Sequence, residues 1–288
     1  MLSICIPTYN TDCSELLDIL AKQIAQIEVT VEVLVIDDFS IHHVENNREA
    51  CERNGFFFFE NQSNLGSIST RIQLAKKSNF NWLLFIDADM LPVHNKYVHK
   101  YIQNIKNNAV VFGGYNYKKD HQKNLLRKNY GITREQKTVH FRKNTPYKYV
   151  FSGNMLIKKR IFIQSIKNPS NCYGYDVLLG ATLKRNKVKL LHIDNGTFHT
   201  GLDDNILYLK KIKEGAKLLR TQFENGQIVS NHNNLINLYK FLKKIYLEKI
   251  LFSPILQIHI ISKKILSKFG RPIVLLDWLR LYYFVNAK

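Results

Sequence analysis

Asp87-Ala88-Asp89 sets two carboxylates one residue apart, directly after the apolar run Trp82-Leu83-Leu84-Phe85-Ile86. Such a pair can face one hard divalent cation, Mg²⁺ or Mn²⁺, because these ions favour carboxylate oxygens together with substrate phosphates. A cation held there neutralises the charge that grows on a departing diphosphate. A solvated acidic turn is the other reading of so short a pattern, and the apolar run before it favours the site. Asp37-Asp38-Phe39-Ser40 follows a second apolar run at 31–36. A carboxylate there can accept from a base N–H or a ribose hydroxyl, although Asp and Ser serve turns and caps equally well. Arg71 stands five residues after Gly66 in Asn64-Leu65-Gly66, where it can grip a phosphate through two parallel N–H bonds or simply face water.

These groups need elements to aim them. Residues 2–7 read as a buried strand, and Asp12-x-x-Glu15 as a capping box ahead of Leu16, Leu20, Ile24 and Ile27 at helical spacing. Further strands are predicted at 31–36, 56–59 and 82–86. Helices are predicted over 67–77, with Ile68, Ile72 and Ala75 on one face, and around Tyr97, Tyr101 and Ile105. Strands alternating with helices imply a mostly parallel sheet, whose ligands sit beyond the carboxyl ends of the strands. Three such ends carry polar clusters: 7–10, 37–40 and 87–89. Later, 110–114 reads as a strand, 118–148 as a long basic loop with a short helix, 149–158 as strand-like, 176–184 as a helix and 187–193 as a last strand. His192 falls inside that strand pattern and reads as structural; Asp203-Asp204 should cap the helix that begins near Leu207.

Hydrophobic residues make up 45% and charged residues 23% of the 288, enough apolar surface for an ordinary core. The net charge of +19 is unevenly spread. Residues 1–100 hold 8 basic and 13 acidic side chains, 101–206 hold 19 and 6, and 207–288 hold 15 and 4. A basic surface attracts phosphate-rich partners, whether nucleic acid, anionic lipid or an acidic acceptor. No nucleic-acid motif accompanies it, so nucleic acid is not the expected partner. Cys5, Cys13, Cys51 and Cys172 show no metal-ligand spacing and read as reduced thiols. The start of the chain reads as a strand rather than a signal peptide, which places the protein in the cytoplasm. The apolar run at 250–262 contains Pro254 and is too short to span a bilayer. From Leu235 onward apolar positions alternate with Lys243, Lys244, Lys249, Lys263, Lys264, Lys268 and Arg271. A basic amphipathic helix of this kind can lie on an anionic membrane at the inner face, or pack its apolar side on the catalytic domain.

The segments together resemble family 2 glycosyltransferases, which have the GT-A fold. The similarity rests on Ser3-Ile4-Cys5-Ile6-Pro7-Thr8-Tyr9-Asn10, Val35-Ile36-Asp37-Asp38-Phe39-Ser40, Asn64-Leu65-Gly66 with Arg71, and Leu84-Phe85-Ile86-Asp87-Ala88-Asp89, in that order over 1–110. The resemblance implies a nucleotide-sugar pocket built from Pro7, Thr8, Tyr9 and Asp38, joined by Asp37, Asn64, Gly66, Arg71 and Asp87. It implies a Mn²⁺ or Mg²⁺ ion at Asp87 and Asp89, and a UDP- or GDP-sugar donor. Phe151-Ser152-Gly153-Asn154-Met155 is similar to the family's acceptor-side strand, and Gly174-Tyr175-Asp176 falls where the family has an acidic pair, with Tyr175 replacing one member. An inverting transfer needs a base for the acceptor hydroxyl proton, and Asp176 is the candidate, a helix N-cap being its other reading. His199 lies where several GT-A enzymes place a metal-binding His, so it is a third ligand by resemblance or a hydrogen-bonded loop His.

The resemblance implies an α/β catalytic domain over 1–225, with a nucleotide-sugar half at 1–110 and an acceptor half at 111–225, and a basic helical extension at 226–288. The activity implied is inverting transfer of a sugar to a hydroxyl on a glycan or lipid-linked acceptor. A sugar-phosphate nucleotidyltransferase would need a Gly-rich basic loop after the first strand, and Pro7-Thr8-Tyr9-Asn10 has no glycine. A non-enzymatic basic binder would leave the acidic strand ends without a purpose.

Overall fold

The computed structural model describes residues 1–105, 108–118, 125–166, 173–228, 233–246 and 255–287. In chain order its strands are β1 (Leu2–Thr8), β2 (Val31–Asp37), β3 (Phe57–Glu60), β4 (Trp82–Ile86), β5 (Met90–Pro92), β6 (Val110–Phe112), β7 (Tyr115–Asn116), β8 (Asn154–Lys158), β9 (Leu190–His192) and β10 (Thr197–His199). The α-helices are α1 (Ser14–Ile24), α2 (Val44–Arg53), α3 (Ser67–Lys77), α4 (Tyr97–Gln103), α5 (Leu126–Tyr130), α6 (Val139–Asn144), α7 (Lys159–Ser165), α8 (Tyr175–Arg185), α9 (Asn205–Glu224), α10 (Asn234–Lys244), α11 (Ile255–Phe269) and α12 (Ile273–Val285). The chain forms two compact units. One comprises residues 1–118, 137–171 and 187–201, and the other 119–136, 172–186 and 202–288.

The first unit is built on a sheet of order β3-β2-β1-β4-β8-β6-β9. β1 pairs in parallel with both β2 and β4, and β2 with β3. β8 runs antiparallel to β4 and β6, and β6 is parallel to β9. Because β1 is covered on both faces, Leu2, Ile4, Cys5 and Ile6 are all fully buried, which is why the strand reads as an unbroken apolar run. The chain leaves β1 for β2 on one side and later returns to β4 on the other, so a crevice opens where the carboxyl ends of β1 and β4 diverge. A small second sheet, β5-β10-β7, lies in the same unit.

Several local expectations shift. The reciprocal capping box at α1 does not form: Cys13 takes the cap position without a side-chain bond, and Asp12 Oδ1 instead accepts from the Ser14 N–H at 2.9 Å. The buried face of α3 carries Ile68, Arg71, Leu74 and Ala75, with Ile72 only half-buried, because Arg71 is drawn inward by a carboxylate described below. The third strand sits one residue later than predicted and the last shrinks to three residues, followed by β10.

The described part of the basic stretch at 118–148 is not a long loop. It holds α5, a π-helical turn (Gly131–Glu135), α6 and a 3₁₀ turn (Pro146–Lys148). Thr138 caps α6 by accepting from the Phe141 N–H, and the anchor is Arg142, only 2% exposed. Its guanidinium donates to the carbonyls of Lys137, Phe112, Gly113 and Ile193 at 2.9–3.3 Å, and to His192 Nδ1 at 3.0 Å. A segment anchored by a buried cation has no apolar period to read.

The second unit is helical. Its core joins Tyr208, Leu209 and Ile212 of α9 with Leu266 of α11 and Leu276, Leu279 and Phe284 of α12. α9 is capped by Asp204, which accepts from Ile206 and Leu207 N–H groups, while Asp203 pairs with Lys211. Within this unit α9 packs with α11 and α12. Cys5, Cys13 and Cys51 are buried free thiols, while Cys172, Lys249 and the residues at 250–254 lie outside the described residues. Among the described residues no helix is long and apolar enough to cross a membrane.

His192 is structural, as its place in the strand predicts. Arginine can only donate, so Nδ1 accepts from Arg142 and Nε2 carries the hydrogen that goes to the Pro146 carbonyl at 2.9 Å. Burial pushes its pKa down from 6.5 to about 4; the Pro146 contact opposes this and the Arg142 charge adds to it. The unfolded chain therefore binds a proton at this site before the fold does, and stability is lost as pH falls below the unfolded value. This group alone should lower the unfolding free energy by about 2 kcal/mol between pH 7.5 and 5 in urea titrations. His192→Gln should flatten that part of the profile; an unchanged profile would reject the assignment.

Candidate active site

The polar ends of β1 and β2 are stitched to one another. Thr8 closes β1 and its hydroxyl donates to the Thr11 carbonyl; Pro7 pairs in register with Ile36, and Tyr9 is half exposed. Asn10 turns the chain with a positive φ of 48°, accepts from the Ile41 and His42 N–H groups, and donates its own N–H to Ser40 Oγ at 2.7 Å. The loops after β1 and β2 are thereby one body.

Within it the two neighbouring aspartates do different work. Asp38, 4% exposed, accepts from Asn61 Nδ2 at 2.7 Å, the Leu65 N–H at 3.0 Å and the Gly66 N–H at 2.8 Å. Its carboxylate is turned toward this loop, which it folds into the start of α3. Gly66 is required there because φ is +84°, a region that other residues rarely adopt. Asn64 is exposed beside it. Asp37, 1% exposed, accepts the Ser40 N–H with Oδ1, while its buried Oδ2 has no partner among the described residues.

At the end of β4 the two carboxylates of the Asp-Ala-Asp segment part. Asp87 pairs with the guanidinium of Arg71, which is 4% exposed and also donates to the Ser67 carbonyl. Burial raises the Asp87 carboxyl above its ordinary range, the Arg71 charge pulls the other way, and Asp89 pushes it up again. Asp89 Oδ2 meets His199 Nε2 at 3.0 Å. The Asp89 carbonyl accepts from both the N–H and the hydroxyl of Thr200, at 2.9 and 2.8 Å, which locks the end of β10 to this turn. Antiparallel pairing of β10 with β5 brings His199 there. Among the described residues no group of three His, Cys, Asp or Glu side chains is gathered as a metal cage. Asp89 and His199 are together, whereas Asp87 is committed to Arg71.

Asp176 belongs to the second unit and the residues above to the first. Gly174, with φ of +96°, caps α8, so Asp176 is not the N-cap. It lies half-buried in the first turn, where the helix dipole favours a negative charge.

Three supports take roles that the sequence reading did not assign, although Gly153 and Asn154 fall in the segment similar to the family's acceptor-side strand. Asn154, fully buried, accepts from the hydroxyls of Tyr97 and Tyr101 and donates to the carbonyls of Gly114 and Asn195. Gly153 lets the Asp87 carboxylate lie against bare backbone, its carbonyl accepting the Asp87 N–H at 3.2 Å. Gly201 does the same for Asp89: a Cβ there would stand 2.5 Å from Oδ2. Gly201 carried no signal of its own in the sequence, and Gly153 and Asn154 were marked only through that resemblance.

The sheet order, the crevice at β1 and β4 and the polar strand ends define a GT-A-type α/β fold with C-terminal helices. The family model "Glycosyl transferase family 2" matches residues 3–165, and the chain belongs to this family. Similar solved structures include Staphylococcus aureus TarS 1–349 in complex with UDP-GlcNAc, at 15% identity and TM-score 0.56, covering 82% of this chain and 70% of that one. Glucosyl-3-phosphoglycerate synthase from Mycobacterium tuberculosis, with Mn²⁺, UDP and glucosyl-3-phosphoglycerate, matches at 14% identity and TM-score 0.53, covering 80% and 81%. Mannosyltransferase PcManGT from Pyrobaculum calidifontis, with GDP-Man and Mn²⁺, matches at 13% and 0.51, covering 78% and 63%. A search of curated protein sequences finds no match. At these identities the solved structures establish the shared fold.

Asp38→Ala would strand three donors, two of them backbone N–H groups. It should destabilise the protein by roughly 2–4 kcal/mol in chemical denaturation, given the cost of unpaired buried donors. A stability equal to the parent's would show that Asp38 is not the clamp of this loop.

Proposed function

We propose that the chain transfers a sugar from a UDP- or GDP-sugar to a hydroxyl of a glycan or lipid-linked acceptor, inverting the anomeric carbon. The observation that carries this reading is the Asp89–His199 contact beside the Arg71–Asp87 pair, at the carboxyl end of the strand that borders the sheet's crevice. One carboxylate and one imidazole suit Mn²⁺, with the remaining positions left to diphosphate oxygens and water. When bound, such an ion neutralises negative charge on the diphosphate.

The chain's own residues supply the rest. Arg71 offers a positive charge to the diphosphate and holds Asp87 in place, leaving Asp87 able to accept from a donor hydroxyl. Asp37 keeps a buried acceptor oxygen without a partner, suited to a base N–H, while Asp38 positions the loop around it. Pro7, Thr8 and Tyr9 edge the nucleotide, and Asn64 and Gly66 close the loop. Asp176 is the base. As the acceptor oxygen bonds to the anomeric carbon, the bond to the donor phosphate oxygen breaks and its electron pair leaves with the nucleoside diphosphate. The acceptor hydroxyl proton passes to Asp176.

A panel of UDP- and GDP-sugars with Mn²⁺, scored by thermal shift and by release of nucleoside diphosphate, tests the reading. One donor class should stabilise the chain and turn over. Asp89→Ala should lower turnover by roughly 10²–10⁴-fold, the worth of several kcal/mol of charge stabilisation, with folding retained. Asp176→Asn should lower kcat by about 10²–10⁴-fold while the thermal shift from the nucleotide persists. Full activity in Asp89→Ala removes the metal assignment, and full activity in Asp176→Asn removes the base.

A further inference from the structure

α10 and α11 each use one face to build the second unit. From α10, Ile236 and Tyr239 are buried and Leu235 and Leu242 pack partly against the core; from α11, Ser262 and Leu266 are buried. A helix with one buried face ordinarily turns polar residues to water. These two do not. α10 turns outward Leu238, Phe241 and Ile245, at i, i+3 and i+7, with Phe241 58% exposed. Tyr246, just past the helix, is 79% exposed. α11 turns outward Ile258 and Ile261, 49% and 55% exposed, with Ile265 half-buried in the same i, i+3, i+7 series.

Lysines flank both stripes on the same side. On α10, Lys244 lies one helical step (i+3) from Phe241; on α11, Lys264 and Lys268 lie the same step from Ile261 and Ile265. All three are exposed. Residues 207–288 carry 15 basic against 4 acidic side chains, so basic groups outnumber acidic ones nearly four to one there. Aligned apolar residues bordered by lysines, with a tyrosine at the helix end, match the boundary of an anionic bilayer, where acyl chains take the apolar side chains and headgroups take the ammonium groups. An acidic protein groove would use the lysines but leave the repeated outward isoleucines without a reason on two separate helices.

We propose that the outward stripes of α10 and α11 insert shallowly into an anionic lipid surface and hold the protein there. The proposal stands on the helices alone and is independent of the transfer chemistry. It is tested by flotation of the full chain with vesicles of phosphatidylcholine, and with vesicles containing about one third phosphatidylglycerol. The chain should float with the anionic vesicles and stay behind with the neutral ones. Replacing Lys244, Lys264 and Lys268 by Gln should weaken binding by about fivefold per lysine. Phe241→Ser and Ile261→Ser should each weaken it by about tenfold, with the thermal unfolding midpoint unchanged because both side chains are exposed. No flotation with anionic vesicles overturns the proposal. So does a Phe241→Ser/Ile261→Ser double variant that floats like the parent, since the attraction would then be charge alone. A parent that dimerises through these side chains without binding vesicles assigns the stripes to a second copy and overturns it equally.

Discussion

Two carboxylates at the end of one strand repel each other, and the interior around them disfavours both charges. In this protein the conflict at Asp87 and Asp89 is resolved by giving each a different partner: a guanidinium for the first and an imidazole for the second. Much of the first unit can be read as the means of delivering those two groups. α3 must begin where it does so that Arg71 faces inward, and its start is folded by the Asp38 carboxylate and a left-handed glycine. β10 must return to β5 so that His199 reaches the same turn, and Thr200 fastens that return by two bonds to the Asp89 carbonyl.

Holding these groups requires polar contacts inside the unit, and the structure supplies them from side chains that use nearly all their capacity. Asn154 accepts from two tyrosine hydroxyls and donates to two carbonyls that belong to different loops. Arg142 spends its donors on four carbonyls and one imidazole nitrogen, tying α6 to the ends of β6 and β9. Such buried networks are costly when partly made, so their completeness fixes one arrangement of the loops. The glycines at 153 and 201 complete the same design from the other side: backbone approaches the carboxylates where any side chain would push them away.

The strands and their polar ends were legible because burial on both faces writes itself as an unbroken apolar run, as in β1 and β4. The Asp-Ala-Asp segment was legible for the same reason, its acidity standing out against Trp82–Ile86. The division of labour between Asp37 and Asp38 was not, because adjacent residues of one type differ only in which loop folds back onto them. The segment around α5 and α6 was misread as loop because its anchors are Arg127, paired with Glu135 at 3.0 Å, and Arg142, and buried cations look like surface in a sequence. The inward turn of Arg71 on α3 is the same failure on a smaller scale.

Arginine and lysine divide the work of the second unit along similar lines. Arg127 lies over the Tyr208 ring and pairs with Glu135, Arg280 donates to the Tyr130 hydroxyl at 3.1 Å, and Arg220 sits 4.6 Å over Tyr239 while bonding Glu224. The planar, weakly hydrated guanidinium tolerates such places, and one lysine of the unit, Lys128 on α5, is buried as well. On α10 and α11, by contrast, Lys243, Lys244, Lys263, Lys264 and Lys268 are exposed. A surface that is at once charged and apolar gains little from plain water. Burying arginine against aromatic rings and leaving lysine beside apolar side chains at the surface are two ways of placing the same charge, and only the first adds to the core.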